Sequence, residues 1–167
     1  MSITIERAIP ADAAAMLEYL KQVGAETDNL SFGAEGLPFT VEAEAEYISG
    51  IQNSSDSIML VAKDNGKIIG DASLSRLPRR MHHRGELGIT VCKEYWAGGI
   101  GSQLMDNIIA FARENCFECI DLQVRSDNDR AIRLYEKYGF QKLCTHPTFF
   151  KIADEYVAFD IMYLPLK

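Results

Sequence analysis

The sequence contains no apolar run that approaches the roughly 20 residues needed to cross a bilayer. Its opening residues, MSITIERAIP, carry early charges and no apolar h-region, so they do not predict a signal peptide. Both absences predict a soluble cytoplasmic protein without a membrane partner.

Basic residues are also scarce, because 17 Lys and Arg stand against 24 Asp and Glu, which gives a formal net charge of −7. Non-specific binding of nucleic acid needs basic patches that displace counterions, so this balance argues against a nucleic-acid partner. The acidic surplus is compatible with a cationic substrate such as an amine, although most acidic proteins are merely soluble.

Only four cysteines are present, and Cys116 and Cys119 form a lone C-x-x-C. A structural zinc site needs a second pair of ligands, and the other candidates are scattered, so we predict no metal. A thioredoxin-type motif opens a helix, whereas this one lies where a predicted helix ends and a strand begins. We therefore predict that these thiols are buried and structural.

The rest of the composition is that of an ordinary globular chain, with 47% hydrophobic and 25% charged residues among 167. This length suits one domain with a real core. The sequence has no internal repeat, low-complexity tract or linker. We therefore predict a single domain over residues 1–167.

Hydrophobic periodicity predicts an α/β fold. Residues 2–9, 57–62, 67–77, 87–91, 119–124, 140–143 and 156–164 have the patterns of strands, and helices are predicted to begin near Pro10, Thr40, Ile100 and Asn128. Asn65-Gly66 predicts a hairpin, and Gly24 and Gly139 predict helix ends. A helix crosses between residues 87–91 and 119–124, so these two strands must be parallel in an otherwise mostly antiparallel, mixed sheet flanked by helices.

The organising stretch is Glu86 to Leu104, in which a buried strand leads through a glycine cluster into an amphipathic helix. The first N–H groups of a helix have no intrahelical partner, and the macrodipole adds positive charge there. Glycine lets a ligand approach that backbone closely. The pattern therefore predicts a phosphate, most simply a pyrophosphate, over Gly98 to Ser102.

Two known phosphate motifs fit this turn poorly. A P-loop ends in Gly-Lys-Ser/Thr, and Gly101-Ser102 lacks the lysine. The dinucleotide fingerprint G-x-G-x-x-G is matched by Gly99 and Gly101 only, with Leu104 at the third position. Asp121 has the approximate spacing of a ribose-binding acid, so a nicotinamide- or flavin-binding domain remains an alternative.

A third pattern carries a family resemblance. The run YWAGGIG after ELGITV is similar to the acetyl-CoA signature of the GNAT superfamily of N-acyltransferases, Gln/Arg-x-x-Gly-x-Gly/Ala. Downstream, LQVRSDN and AIRLYEKYGF resemble the second motif of that family, and the match covers nearly the whole chain. Trp96 replaces the usual Gln or Arg. Because the phosphate donors are backbone groups, we expect phosphate binding to survive this replacement.

The resemblance implies a GNAT-like sheet whose two central parallel strands splay apart to hold CoA, with acetyl-CoA as co-substrate and no metal. The glycine turn would bind the pyrophosphate through backbone N–H groups, the central strand would pair with the pantetheine arm, and an asparagine would hydrogen-bond the arm. The residues at these positions are Ala97, Gly98, Gly99, Gly101 and Ser102 for the pyrophosphate, Ile89 and Val91 for the pantetheine, and Asn128 for the arm.

The implied reaction is direct transfer of an acetyl group to a primary amine of a small molecule or peptide. A protonated amine is not a nucleophile, so we predict Glu86 as the base, acting directly or through a water, with His83 as the alternative. Tyr135 is the predicted acid for the leaving thiolate, and an N–H near Ile89 is a candidate donor to the oxyanion. Cys92 has no paired base nearby in sequence, so we do not expect a covalent nucleophile.

The acceptor should be selected by residues 26–39 and by residues 78–85, because loops on a rigid scaffold carry specificity. Glu26, Asp28 and Glu35 are candidates to attract a cation. A polyamine, an amino sugar, an amino acid and a protein N-terminus all remain open. The alternative to an enzyme is a non-catalytic acyl-CoA-binding or sensor domain, and the family resemblance also implies a homodimer.

Overall fold

The computed structural model describes residues 2–167, which form a seven-stranded sheet in the order β1-β2-β3-β4-β5-β7-β6. The strands are β1 (Ile3–Arg7), β2 (Ser57–Asp64), β3 (Lys67–Arg76), β4 (Arg84–Val91), β5 (Cys119–Arg125), β6 (Gln141–Ile152) and β7 (Glu155–Pro165). The helices are α1 (Ala13–Glu26), α2 (Val41–Ile51), α3 (Ile100–Glu114) and α4 (Asp129–Lys137).

The sheet is antiparallel except between its two central strands, as the sequence predicts. β4 and β5 run parallel, and their register covers only Arg84↔Cys119 to Glu86↔Asp121. Beyond Glu86 the two strands have no paired residues within the described chain, while β5 continues its pairing with β7 as far as Arg125. The centre of the sheet is therefore forked, and the fork opens towards the carboxyl end of β4.

Helix α3 packs on one face of the sheet through the apolar stripe that the sequence predicts. Ile100, Leu104, Met105 and Ile108 are all at most 1% exposed, and they belong to the cluster that includes Ala72 and Leu74 of β3. Because this helix is anchored so firmly, its first turn has a fixed position at the mouth of the fork.

Helices α1 and α2 pack on the opposite face. Met16, Val23 and Ile48 form a second apolar cluster with residues of β2 and β3. Thr40 caps α2, since its Oγ1 accepts a hydrogen bond from the Ala43 N–H at 3.1 Å. Two helices on this face and one large helix on the other confirm the predicted flanked sheet.

The tight turns agree with the sequence where glycine or asparagine marks them. Asn65 and Gly66 have φ values of 49° and 85°, which suits the two-residue hairpin between β2 and β3. Gly139 has a φ of 96° just after α4, so the predicted helix end there is confirmed.

Gly24 does not end α1, which continues to Glu26, so that prediction is wrong. A Cβ at position 24 would lie 2.1 Å from the carbonyl oxygen of Gly33. The glycine is therefore required because the loop after α1 folds back against the helix. This contact depends on how the loop folds, so the sequence around Gly24 does not predict it.

β6 is also longer than predicted, since it runs from Gln141 to Ile152 rather than through residues 140–143 only. Its second half includes Pro147 and lacks alternation, which conceals the strand. The turn to β7 uses Ala153 and Asp154, both with positive φ, in place of the usual glycine or asparagine.

One prediction about burial is wrong. Cys116 is exposed and Cys119 is half-buried, so the C-x-x-C thiols are not both buried; of the four cysteines only Cys92 lies in a core. Within residues 2–167 there is no cluster of potential metal ligands, and no helix is long and apolar enough to span a membrane.

Candidate functional site

A cavity of about 1300 Å³ occupies the fork between β4 and β5 and extends over the sheet face that α1 and α2 cover. Its lining includes β3, β4, the loop after α1, the first turn of α3, and α4. The cavity therefore joins the elements that carry the predicted cofactor-binding and catalytic residues.

One end of the cavity is the first turn of α3. The first intrahelical hydrogen bond of this helix runs from Gln103 N–H to Gly99 O, so the N–H groups of Ile100, Gly101 and Ser102 have no helical acceptor. Gly99 has a φ of 81°, and a Cβ there would have nothing within 4 Å, so the backbone is open to a ligand. These donors suit an anionic group such as a pyrophosphate.

Three other residues of the glycine turn determine its conformation and its packing against α4. Ala97 has a φ of 65°, the left-handed conformation that few non-glycine residues adopt. The N–H of Gly98 donates to Tyr95 O at 3.2 Å, and a Cβ at Gly101 would lie 3.1 Å from Leu134 Cδ2 on α4. Gly98 and Ala97 therefore set the path of the turn, and Gly101 permits α4 to pack closely.

The main-chain groups of Ile89 and Val91 face the fork. Cys92 N–H donates to Ile69 O, and Leu77 N–H donates to Arg84 O, so the even-numbered residues of β4 bond to β3. Backbone groups alternate sides along a strand, so the odd-numbered residues point towards β5. Because the β4–β5 register ends at Glu86, Ile89 has no strand partner on that side in residues 2–167.

Trp96, the departure from the family motif, supports this strand end. Its Nε1 donates to Val91 O at 2.8 Å, and the guanidinium carbon of Arg130 lies 3.2 Å from the centre of its ring. Trp96 therefore ties the end of β4 to the start of α4, across the mouth of the fork.

The two predicted catalytic residues line the same cavity. Glu86 is exposed, at the base of the fork. Tyr135 is 6% exposed, and burial raises its pKa above the ordinary value, so the phenol keeps its proton near neutral pH. Asn128 caps α4, since its Oδ1 accepts from Ala131 N–H at 3.3 Å, which leaves the amide NH₂ free to donate.

Comparison with known proteins agrees with this architecture. The profile of the Acetyltransferase (GNAT) family matches residues 15–140. The chain belongs to the GNAT acetyltransferase family.

Several relatives illustrate the family. The chain is 35% identical over 98 residues to N-alpha-acetyltransferase RimI of Mycobacterium tuberculosis, a match that covers 57% of this chain and 60% of that enzyme. A GNAT-family acetyltransferase from Streptococcus pneumoniae superposes with a TM-score of 0.95 at 29% identity, covering 99% of this chain and all of that one.

A phosphinothricin acetyltransferase from Sinorhizobium meliloti, solved in complex with acetyl-CoA, shares the fold with a TM-score of 0.84 at 21% identity. That superposition covers 99% of this chain and 89% of that one. The predicted GNAT fold, with its forked central strands, is therefore confirmed.

Not every candidate from the sequence reaches the cavity of this GNAT fold. Residues 26–39 contribute to its lining, but His83 and the rest of residues 78–85 do not. Cys92 is fully buried, and burial raises the pKa of its thiol to about 11, which suits a core residue rather than a nucleophile. Glu26 Oε2 accepts from Lys93 N–H at 2.8 Å, so this carboxylate has a structural partner.

Sequence reasoning missed a half-buried group of polar side chains between β3, β4 and α1. Thr90 Oγ1 donates to Asp71 Oδ1, and the hydroxyls of Tyr19 and Thr90 are 2.6 Å apart. Burial, with a smaller contribution from charge repulsion by Glu44 on α2, raises the pKa of Asp71 to about 6. Polar residues at every second position of β3, in DASLS, were the signal that could have indicated this face.

Lys137 was also missed. Its Nζ lies 3.3 Å from Ser102 Oγ, so α4 brings a positive charge beside the first turn of α3. A cation at this position adds to the attraction of the helix terminus for an anion. Its position depends on how α4 packs against α3, which the sequence pattern of α4 does not reveal.

Proposed function

We propose that this protein is an N-acetyltransferase that moves the acetyl group of acetyl-CoA directly to a primary amine. The observation that carries the proposal is that one cavity holds the free N–H groups of α3, the unpaired edge of β4, Glu86 and Tyr135. In this proposal the cavity provides an anion site, a site for the pantetheine arm and acid–base groups. A sensor domain would need only the first two.

The cofactor residues have distinct roles in this proposal. The N–H groups of Ile100, Gly101 and Ser102, together with the turn formed by Ala97, Gly98 and Gly99, bind the pyrophosphate, and Lys137 adds positive charge. The carbonyl of Ile89 and the N–H of Val91 pair with the pantetheine arm, since Trp96 already donates to the Val91 carbonyl, and the Asn128 amide donates to the arm. A bound arm would fill the strand position that β5 leaves empty beside β4.

The acid–base chemistry follows from charge balance. The amine nitrogen bonds to the acetyl carbonyl carbon, the carbon–sulfur bond breaks, and Glu86 accepts the proton that the amine must lose. Tyr135 supplies a proton to the leaving sulfur, which its raised pKa allows because the phenol is neutral. The Ile89 N–H is the donor for the developing oxyanion. The products are an N-acetylated amine and CoA thiol, and one net proton is released.

Release of CoA thiol from acetyl-CoA, measured across a panel of amines and peptides, tests this proposal. We expect thiol release that depends on an amine and a product heavier than the amine by one acetyl group. Binding of acetyl-CoA with no release from any amine or peptide would favour the sensor domain. Thermal stabilisation by NAD and not by CoA would instead favour a nicotinamide-binding domain.

A further inference from the structure

A strip of polar side chains lies on the sheet face that α1 and α2 cover. Asp71, Ser73 and Ser75 alternate with buried apolar residues of β3, so they share this face. Their register partners on β4 are Thr90, Gly88 and Glu86. All of these residues line the cavity. The strip therefore has a carboxylate at each end and hydroxyl groups between them.

The length of the strip selects among ligands. From Asp71 to Ser75, the partner of Glu86, the strand advances roughly 14 Å at about 3.4 Å per residue. An extended diamine with eight methylene groups spans roughly 11 Å between nitrogens, from bond lengths of about 1.5 Å. A charge-assisted hydrogen bond of about 2.8 Å at each nitrogen adds to this span, so an amine of this length can reach both carboxylates.

Glu44 is a second acidic group that lines this part of the cavity. Glu44 is only 5% exposed and lines the cavity, and no protein group within residues 2–167 pairs with its carboxylate, whose oxygens are not fully enclosed. Burial raises the pKa of Glu44, and the same carboxyl helps to raise that of Asp71. A carboxylate that is mostly removed from water and has no protein partner is costly to ionise, and a ligand ammonium group would lower that cost.

The cavity offers no matching site for a carboxylate ligand at this end. Among the described residues that line it, the basic side chains are Arg125 and Arg130. Arg125 pairs with Asp127 at 2.7 Å, and Arg130 lies over Trp96 at the opposite end of β4. The cavity lining also includes the aromatic residues Phe32, Tyr47 and Phe149, whose rings can contact methylene chains and ammonium groups.

We propose that the acceptor is a linear diamine or polyamine, with its reacting nitrogen at Glu86 and a second ammonium group held by Asp71 and Glu44. This inference rests on the proposed function, and it names the substrate class of the same site. One nitrogen becomes an acetamide, the thioester carbon–sulfur bond breaks, CoA thiol leaves, and one net proton is released. The distal ammonium keeps its charge throughout.

Three acceptors of about equal length test the proposal. The first is 1,8-diaminooctane, the second is the amino-alcohol in which a hydroxyl replaces one ammonium group, and the third is the amino acid in which a carboxylate replaces that ammonium group. We expect kcat/KM to fall in that order, with the diamine preferred over the amino-alcohol by about tenfold or more. In Asp71→Asn and Glu44→Gln this preference should fall by about tenfold, mainly through the KM of the diamine.

Glu42→Gln is the matched control, because Glu42 is exposed on the same turn of α2 and does not line the cavity. It should keep the wild-type preference. Equal use of diamine and amino-alcohol by the wild-type enzyme would overturn the inference. Faster acetylation of an alanyl peptide than of the diamine would also overturn the inference, but it would leave the proposed function standing. Acetyl-CoA binding without acetylation of any amine would overturn both.

Discussion

The indole N–H of Trp96 donates a 2.8 Å hydrogen bond to the carbonyl oxygen of Val91. Val91 is the last residue of β4, and Trp96 immediately precedes the glycine turn that starts α3. The bond therefore closes the loop between the strand that would hold the CoA arm and the helix that would hold its phosphates. Trp96, at the position of the Gln or Arg of the family motif, therefore has a structural role in this chain.

Trp96→Phe should lower the free energy of unfolding by about 1 kcal/mol, the net value of one hydrogen bond. Phe keeps a ring for Arg130 to stack upon, whereas Trp96→Ala removes both interactions and should cost more. Urea denaturation of the two variants and the wild type measures this difference. Equal stability of wild type and Trp96→Phe would show that the bond to Val91 contributes nothing.

Gly99→Asp should weaken CoA binding by about tenfold to a hundredfold, because a carboxylate at the α3 N-terminus would repel a pyrophosphate across a few ångströms. Gly99→Asn is the matched control, since Asn has the same size and tolerates the φ of 81° about equally well. Isothermal titration with CoA compares the two variants. If Asp and Asn bind CoA equally, the phosphates do not lie at this turn.

The stretch proposed to bind the cofactor phosphates and arm could be located from the sequence because its elements are close together in the chain, although Asn128 and Lys137 lie outside it. The strand, the glycine turn and the start of α3 all fall within Glu86 to Leu104, and each has a local pattern. Hydrophobic periodicity likewise identified all four helices and the parallel pair at the centre of the sheet. Local physics determines these features, so one sequence is enough to find them.

The acceptor half could not be predicted, because it is assembled from distant segments. Glu44 has the pattern of a solvated residue in a first helical turn, yet packing of α2 buries it. The partners of Asp71 are Thr90 on β4 and Tyr19 on α1, which lie 19 and 52 positions away from it in the chain. Burial and charge coupling of this kind depend on tertiary packing, which periodicity does not encode.

Tyr135→Phe should reduce kcat by about a hundredfold or more, the usual contribution of a positioned general acid, and should change CoA affinity little. The variant keeps the ring, which packs 5.6 Å from that of Phe140, so the fold should survive. Stopped-flow thiol release measures kcat, and Tyr163→Phe, outside the cavity, is the control. An unaltered kcat would remove Tyr135 from the mechanism.

Asp71→Asn should make the protein more stable near neutral pH while it impairs the acceptor site, a trade-off typical of functional residues. The pKa of Asp71 is about 6 in the folded protein, against an ordinary value of 3.8, because burial and the nearby Glu44 disfavour its charge. Hydrogen bonds from Thr90 and Tyr19 oppose that rise without cancelling it. The asparagine resembles the protonated acid and can still accept the Thr90 hydroxyl.

The sign of the pH effect follows from proton binding. Between about pH 4 and pH 6 the folded state holds the Asp71 proton and the unfolded state does not, so rising pH destabilises the wild type through this window. The advantage of Asp71→Asn should therefore grow from near zero at about pH 4 to about 2 kcal/mol at pH 7, somewhat below the full value of the pKa shift because Asp71 is only half-buried. Urea denaturation across this range measures it. A stability difference that does not change with pH would mean that Asp71 ionises in the folded protein as it does in the unfolded chain.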